Sequence, residues 1–263
     1  MAYTIAVTGK GGTGKTTLTG FLIEYLGGLG NGPVLAVDAD ANANLNEVLG
    51  VPIEKTLGEL RENIVNAEFD PDSPISPVTT KQDYLNASFS NAITEEDDYD
   101  LLVMGRTQGK GCYCFVNGLL QAQLQRFSNN YKYVVVDNEA GMEHLSRGIL
   151  PGVDLILIVS DCSRRGVQAA ARISELTAEL GMKVADGVKL IINKAPGGEL
   201  NAGILEEIEK YGFDLVGAVP LDDLVFEYDS NGTPTTKLPA DAPARAAFTK
   251  IMADLPITKP IIK

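Results

Sequence analysis

Residues 9–17 read Gly-Lys-Gly-Gly-Thr-Gly-Lys-Thr-Thr, between an apolar run at 3–8 and a helical pattern from about Thr16 to Leu26. No other stretch constrains the fold as much. The motif G-x-x-x-x-G-K-[ST] works where a buried strand hands the chain to a helix. Its glycines let backbone N–H groups turn inward around phosphate oxygens, and the helix N-terminus adds its positive dipole end. Gly9, Gly11, Gly12, Thr13, Gly14 and Thr17 are therefore expected to line a nucleotide cradle. Lys15 is expected at the β- and γ-phosphates, with the Thr16 hydroxyl on Mg²⁺.

Short apolar runs recur at 33–38, 100–104, 132–137, 154–160, 188–193 and 214–219. Helical patterns lie at 117–128, 166–180, 199–211 and 241–253. The alternation predicts βαβ units and a doubly wound, mainly parallel sheet of about seven strands, with helices on both faces. Residues 51–99 hold four prolines and little periodicity. They read as an irregular excursion from one domain spanning 1–263, with some helix around Leu57–Val65. Hydrophobic residues make up 44% of the chain, enough for a core without staples.

Net charge bounds the partners. With 22 basic and 35 acidic residues the chain carries −13, which repels nucleic acid phosphates and anionic lipid. Neither a nucleic acid nor a membrane partner is expected. The acidic run Glu95, Glu96, Asp97, Asp98, Asp100 reads as a solvated loop before a strand. No secretory pattern and no membrane-length apolar run occur, which predicts a cytoplasmic protein with reduced thiols. Cys112, Cys114 and Cys162 then do not form a disulfide framework.

Lys10 sets the loop apart. The pattern K-G-G-x-G-K-T resembles the deviant-Walker ATPases, which include division-site positioners, plasmid-partition ATPases, arsenite-pump ATPases and the nitrogenase iron protein. The resemblance implies that two subunits sandwich ATP and that Lys10 reaches the partner's phosphates. Asp38 and Asp40 end the second strand, where one aspartate can position Mg²⁺-bound water and the other the attacking water. By resemblance Asp40 orients the nucleophile and Asp38 assists the metal shell; capping of the next helix is the plainer alternative. Asp137-Asn-Glu-Ala-Gly141 resembles a D-x-x-x-G switch, with Asp137 holding Mg²⁺ through water and Gly141 sensing the γ-phosphate. Asn193-Lys194 matches where the family recognises adenine, and Pro220 and Leu221 flank the base.

Cys112-Tyr-Cys114 lies in a glycine-rich loop between a strand and a helix. Thiolates bind Ni²⁺, Zn²⁺ or Cu⁺, but one C-x-C supplies two ligands and a closed tetrahedral site needs four. A symmetric dimer supplies four, with one metal on the two-fold axis. Two idle buried cysteines are the alternative. The stretch from Asp100 to Asn117, with Asp137-x-Glu-Ala-Gly-x-Glu-His-Leu-x-Arg-Gly148, resembles the carbon monoxide dehydrogenase accessory ATPases (CooC type) and the acetyl-CoA synthase maturation ATPases (AcsF type). That resemblance implies an ATPase that binds nickel, with Zn²⁺ able to substitute, and helps insert it into a nickel–iron–sulfur client. An iron–sulfur carrier or electron-donating ATPase is the second reading, since four thiolates also suit a cluster. A positioning ATPase on DNA or membrane is the third, and the acidic charge counts against it. His144, the single histidine, and Cys162 read as packing residues, and Arg164 and Arg165 as surface ion-pair formers.

Overall fold

Among the described residues, eight strands form one sheet in the order β3-β4-β2-β5-β1-β6-β7-β8. The computed structural model describes residues 2–67, 88–105, 122, 125–139 and 152–258. The strands are β1 (Tyr3–Gly9), β2 (Val34–Asp38), β3 (Ile93–Glu95), β4 (Tyr99–Val103), β5 (Tyr133–Asp137), β6 (Leu155–Asp161), β7 (Val188–Ala195) and β8 (Asp214–Pro220). All neighbours are parallel except β3 and β4. The chain runs from β1 to β2 and β4 on one side and extends through β6, β7 and β8 on the other. Winding in two directions opens a crevice at the C-terminal end of β1.

Strand composition explains the layers. Along β2, Val34 and Ala36 face one core, while Leu35 and Val37 face another. Both faces must be covered, so the run is apolar throughout. On the first face lie α1 (Lys15–Gly28) and α7 (Pro243–Asp254), which bring Leu22, Leu26 and Phe248 against Ile5, Val7 and Val135. On the second, α3 (Leu57–Ala67) supplies Leu57 and Leu60, joined by Phe89 and Tyr131. Val167 and Ala170 of α4 (Arg164–Glu179) and Ile204 and Ile208 of α5 (Ala202–Lys210) cover β6 and β7. Each such aliphatic side chain contributes roughly 1.5–3 kcal/mol when fully buried. Among the described residues no helix is long and apolar enough to cross a membrane.

The sheet has one strand more than the sequence pattern indicates. β3 is three residues long and pairs antiparallel with β4 as an edge. Of the acidic run, Glu96, Asp97 and Asp98 form the turn of this hairpin, closed by Glu96 N–H donating to the Tyr99 carbonyl at 3.0 Å, while Glu95 and Asp100 pair across the strands. A three-residue strand carries too little alternation to register. Two further short helices escape the pattern, α2 (Leu45–Leu49) and α6 (Asp223–Ser230). The expected helix at 117–128 falls mostly outside the described residues, of which 125–128 are helical.

A candidate nucleotide site at the strand ends

Sheet register assembles the site before any side chain is considered. Asp38 of β2 and Val7 of β1 each sit beside Asp137 of β5, and Gly9 sits beside Val159 of β6. The phosphate loop leaves β1 at Gly9 and enters α1 at Lys15. Gly14 precedes the helix in the left-handed region with φ 87°, and no side chain caps the helix. The first N–H groups of α1 therefore remain available to an anion. At Gly14 a Cβ would lie 2.4 Å from Asn193 Nδ2, so only glycine fits both the turn and its neighbour. Gly14→Ala is accordingly expected to lose nucleotide binding and about 1–3 kcal/mol of stability, read by calorimetric titration and urea unfolding.

The loop is braced from two sides. Thr13, fully buried, donates its hydroxyl to the Lys10 carbonyl at 2.9 Å, and Lys15 Nζ reaches the same carbonyl at 3.3 Å. Asn193 Nδ2 donates to the Thr13 carbonyl at 2.8 Å, and Lys194 Nζ donates to the Gly12 carbonyl at 2.9 Å. Lys194 itself has φ 58°, stabilised by its N–H on Asn193 Oδ1 at 2.9 Å. The Lys10 side chain is exposed, whereas Lys15 is buried. Burial pulls the Lys15 ammonium below its usual pKa, and the carboxylates of Asp137, Asp40 and Glu139 work against that shift.

Asp38 at the end of β2 and Asp137 at the end of β5 are buried, whereas Asp40 is half-buried. Asp38 Oδ1 accepts from the Asp40 N–H at 2.9 Å and Oδ2 from the Leu45 N–H at 3.0 Å. Asp38 thus ties β2 to the start of α2 and fixes the loop that carries Asp40, while the N-cap position of α2 is Asn44, with no side-chain cap. The Asp40 carboxylate accepts from the Asn42 N–H at 2.8 Å, and the loop passes through Ala43 at φ 52°. Ala43 and Lys194 are the two non-glycine residues with positive φ among those described, and both sit at this site. Left-handed backbone at a side-chain-bearing residue is costly and collects at functional loops.

Asp137 carries the strongest electrostatic signal. Burial pushes its carboxyl up to about 7; the nearby Asp38 charge adds to the rise, while Thr16, Lys15 and Thr19 oppose it. The Thr19 hydroxyl lies 3.1 Å from Asp137 Oδ1. A carboxylate desolvated beside a second carboxylate and a threonine hydroxyl is suited to a divalent cation. The raised pKa means that the cation-free folded chain holds this proton more tightly than the unfolded chain does. Stability is therefore expected to fall as pH rises from about 4 to about 7. Asp137→Asn should flatten that part of a melting-temperature profile recorded in EDTA.

A second cavity of about 200 Å³ opens beside the loop. Gly14, Asn193, Lys194, Pro220 and Leu221, all expected at the base or the phosphates, line it together with Val225 and Phe226 of α6. Phe226 is 75% exposed at the rim. Asn193 differs from expectation in one respect: it is buried, and its amide holds the loop and Lys194 rather than standing free for a purine edge. Sequence reasoning missed Phe226. Its signal is an exposed aromatic six residues after the strand-ending Pro220, on a helix too short to show periodicity.

Cys112, Cys114, Gly141 and His144 lie outside the described residues. Cys162 is half-buried against the α4–α5 core. Arg164 pairs with the buried Glu207 at 2.8 Å, joining α4 to α5.

Comparison with known proteins agrees with this geometry. The family model for the CobQ/CobB/MinD/ParA nucleotide binding domain matches residues 4–235. An ATP-binding protein of Methanocaldococcus jannaschii, MJ0685, is 41% identical over 235 residues, covering 89% of this chain and 91% of that one. The carbon monoxide dehydrogenase accessory protein CooC of Rhodospirillum rubrum is 35% identical over 236 residues, 87% of each chain. Among solved structures, the cell division ATPase MinD of Pyrococcus furiosus superposes with a TM-score of 0.69 at 22% identity, covering 96% of this chain and 98% of its own. A ParA family ATPase of Chlorobium tepidum does so at 0.70 and 17%, covering 95% and 96%. These two likenesses speak for the fold. With the phosphate loop, the strand-end aspartates and the matched family model together, the chain belongs to the CobQ/CobB/MinD/ParA family of P-loop ATPases.

Proposed function

We propose that this ATPase works as a Mg²⁺-ATP-dependent homodimer in the cytoplasm. Its two chains hold a nickel ion between them through Cys112 and Cys114. They assist its insertion into a carbon monoxide dehydrogenase or acetyl-CoA synthase cluster. The observation that carries this reading is the 35% identity to the accessory protein CooC over 87% of both chains. The C-x-C pair gives the reading its chemistry: nickel is cargo here, and soft thiolates accept it or Zn²⁺.

The nucleotide half of the reading is supported by the arrangement of residues around the phosphate loop. Lys15 and the α1 amides bind phosphate oxygens, and Lys194 and Asn193 hold the loop in shape around them. Thr16, Asp137 and Asp38 form the donor set for Mg²⁺, which when bound neutralises phosphate charge. Asp40, on its fixed loop, orients the attacking water. Pro220, Leu221 and Phe226 enclose the base. Lys10, exposed in the single chain, is free to serve the partner's nucleotide.

Lys10→Ala separates binding from assembly. This variant is expected to bind Mg-ADP like the parent, yet to lose ATP-driven dimerisation and turnover. Sedimentation velocity and phosphate release read the two properties. Parental turnover in Lys10→Ala would contradict the shared-site arrangement.

A further inference from the structure

Helix α2 cannot stand by itself. It has five residues, its N-cap Asn44 makes no side-chain cap, and a helix that short is unstable in isolation. Its place is set by its neighbours. At its start the Leu45 N–H donates to Asp38 Oδ2 at 3.0 Å. At its end the Val48 carbonyl is one of the groups that a helix leaves without an intrahelical partner. The Thr236 hydroxyl, 188 residues further along the chain, donates to that carbonyl at 2.9 Å.

Thr236 is itself held. It is buried, on the single turn Thr235–Lys237. Arg245 Nη1 on α7 donates to the Thr236 carbonyl at 2.7 Å and also to that of Leu238, and Arg245 Nη2 pairs with Glu24 of α1 at 2.8 Å. Gly20 of α1 lets the tie form: a Cβ there would lie 2.4 Å from Val48 Cγ1 and 3.3 Å from Thr236 Cγ2. Elsewhere the two walls stand apart. Gly50 meets Pro234, but a cavity of about 810 Å³ lies between α2 and the segment that leads to Thr235. Without the hydroxyl, α2 has room to shift.

What α2 holds is the loop before it. Asp38 Oδ1 accepts from the Asp40 N–H at 2.9 Å while Oδ2 accepts from Leu45, so one buried carboxylate joins the Asp40 backbone to the first residue of α2. Between them the chain passes Ala43 at φ 52°, a costly conformation that persists only where the surroundings fix it. A shift of α2 therefore moves Asp40. We infer that Thr236 is a positioning residue for ATP hydrolysis: its hydroxyl fixes the far end of α2, and α2 fixes the loop that carries Asp40. The inference rests on the reading in which Asp40 orients the attacking water, and it is independent of nickel. Val48, Arg245 and Gly20, which Thr236 meets, are not among the residues assigned to the phosphates or the base. Loss of the hydroxyl therefore acts on the chemical step and spares nucleotide binding.

Steady-state phosphate release and calorimetric titration with Mg-ADP test this on the full chain, in Thr236→Val, Thr236→Ala and Thr236→Ser. The first two are expected to lower kcat about tenfold, the scale of one lost hydrogen bond, with KM and Mg-ADP affinity within about twofold of the parent. Thr236→Ser keeps the hydroxyl and should restore kcat. Hydrogen exchange across residues 40–50 should quicken in the valine and alanine variants and return to the parental rate in the serine variant, with α1 unchanged. Parental kcat in both Thr236→Val and Thr236→Ala, no recovery in Thr236→Ser, or a loss of Mg-ADP affinity as large as the loss of kcat overturns the inference. Asp40→Ala tests the reading beneath it. Parental turnover in that variant removes Asp40 from hydrolysis altogether, whereas an inactive Asp40→Ala beside a fully active Thr236→Val removes only the part given to Thr236.

Discussion

Lys15→Ala is expected to weaken ATP binding by roughly 100-fold or more, since a charge-assisted hydrogen bond contributes about 1.5–3 kcal/mol and the proposed role of Lys15 is to contact both the β- and γ-phosphates. The substitution also removes the Nζ contact to the Lys10 carbonyl that helps hold the loop. Folding should survive. Burial already disfavours the Lys15 charge, so its removal relieves a desolvation cost while it leaves Asp137 without a countercharge. Calorimetric titration with Mg-ADP reads the affinity, and circular dichroism shows that the chain is folded. Unchanged affinity in a folded variant would remove the phosphate loop from the nucleotide site.

The second large effect concerns the cysteine pair. Cys112→Ala or Cys114→Ala is expected to abolish stoichiometric nickel, while Mg-ADP binding stays at the parental level. Loss is all-or-none because a closed site needs four ligands, and each single substitution takes two from the dimer. The dependence on metal should vanish with it: nickel added to the variant should leave the sedimentation coefficient where it is. Nickel retained at full stoichiometry places the ligands elsewhere in the chain. Iron with sulfide, seen as absorbance near roughly 400 nm, supports the cluster-carrying reading instead.

What the sequence made legible has a physical pattern. Gly9, Asp38, Asp137 and Pro220 end apolar strands and Asn193 lies two residues from the end of another, and a strand buried on both faces announces itself as an unbroken apolar run. Their convergence at one edge of the sheet follows from parallel pairing, and the registers Asp38–Asp137 and Val7–Asp137 bear it out. The short elements were not legible. β3 has three residues, α2 has five and α6 has eight, so none spans enough turns or alternations to show a period. Roles decided by competition among partners were hidden too. Nothing in Asn193-Lys194 as a pair foretells that the amide is drawn into the phosphate loop, or that Lys194 takes a left-handed turn to reach the Gly12 carbonyl.

The acidic charge and the family's breadth pull in different directions. Members of this fold include cell division and partition ATPases, and the likeness to those structures speaks only for architecture. A net charge of −13 opposes association with nucleic acid or anionic lipid. The proposed metal client rests on the 35% identity to CooC.

The most direct test of that account is the metal content of the parent chain purified without oxygen and supplied with Ni²⁺, measured with and without ATP alongside its mass in solution. The account predicts about one nickel per two chains, in a dimer that forms with the metal and responds to ATP. A nickel-free chain, or nickel bound one per monomer without association, contradicts it.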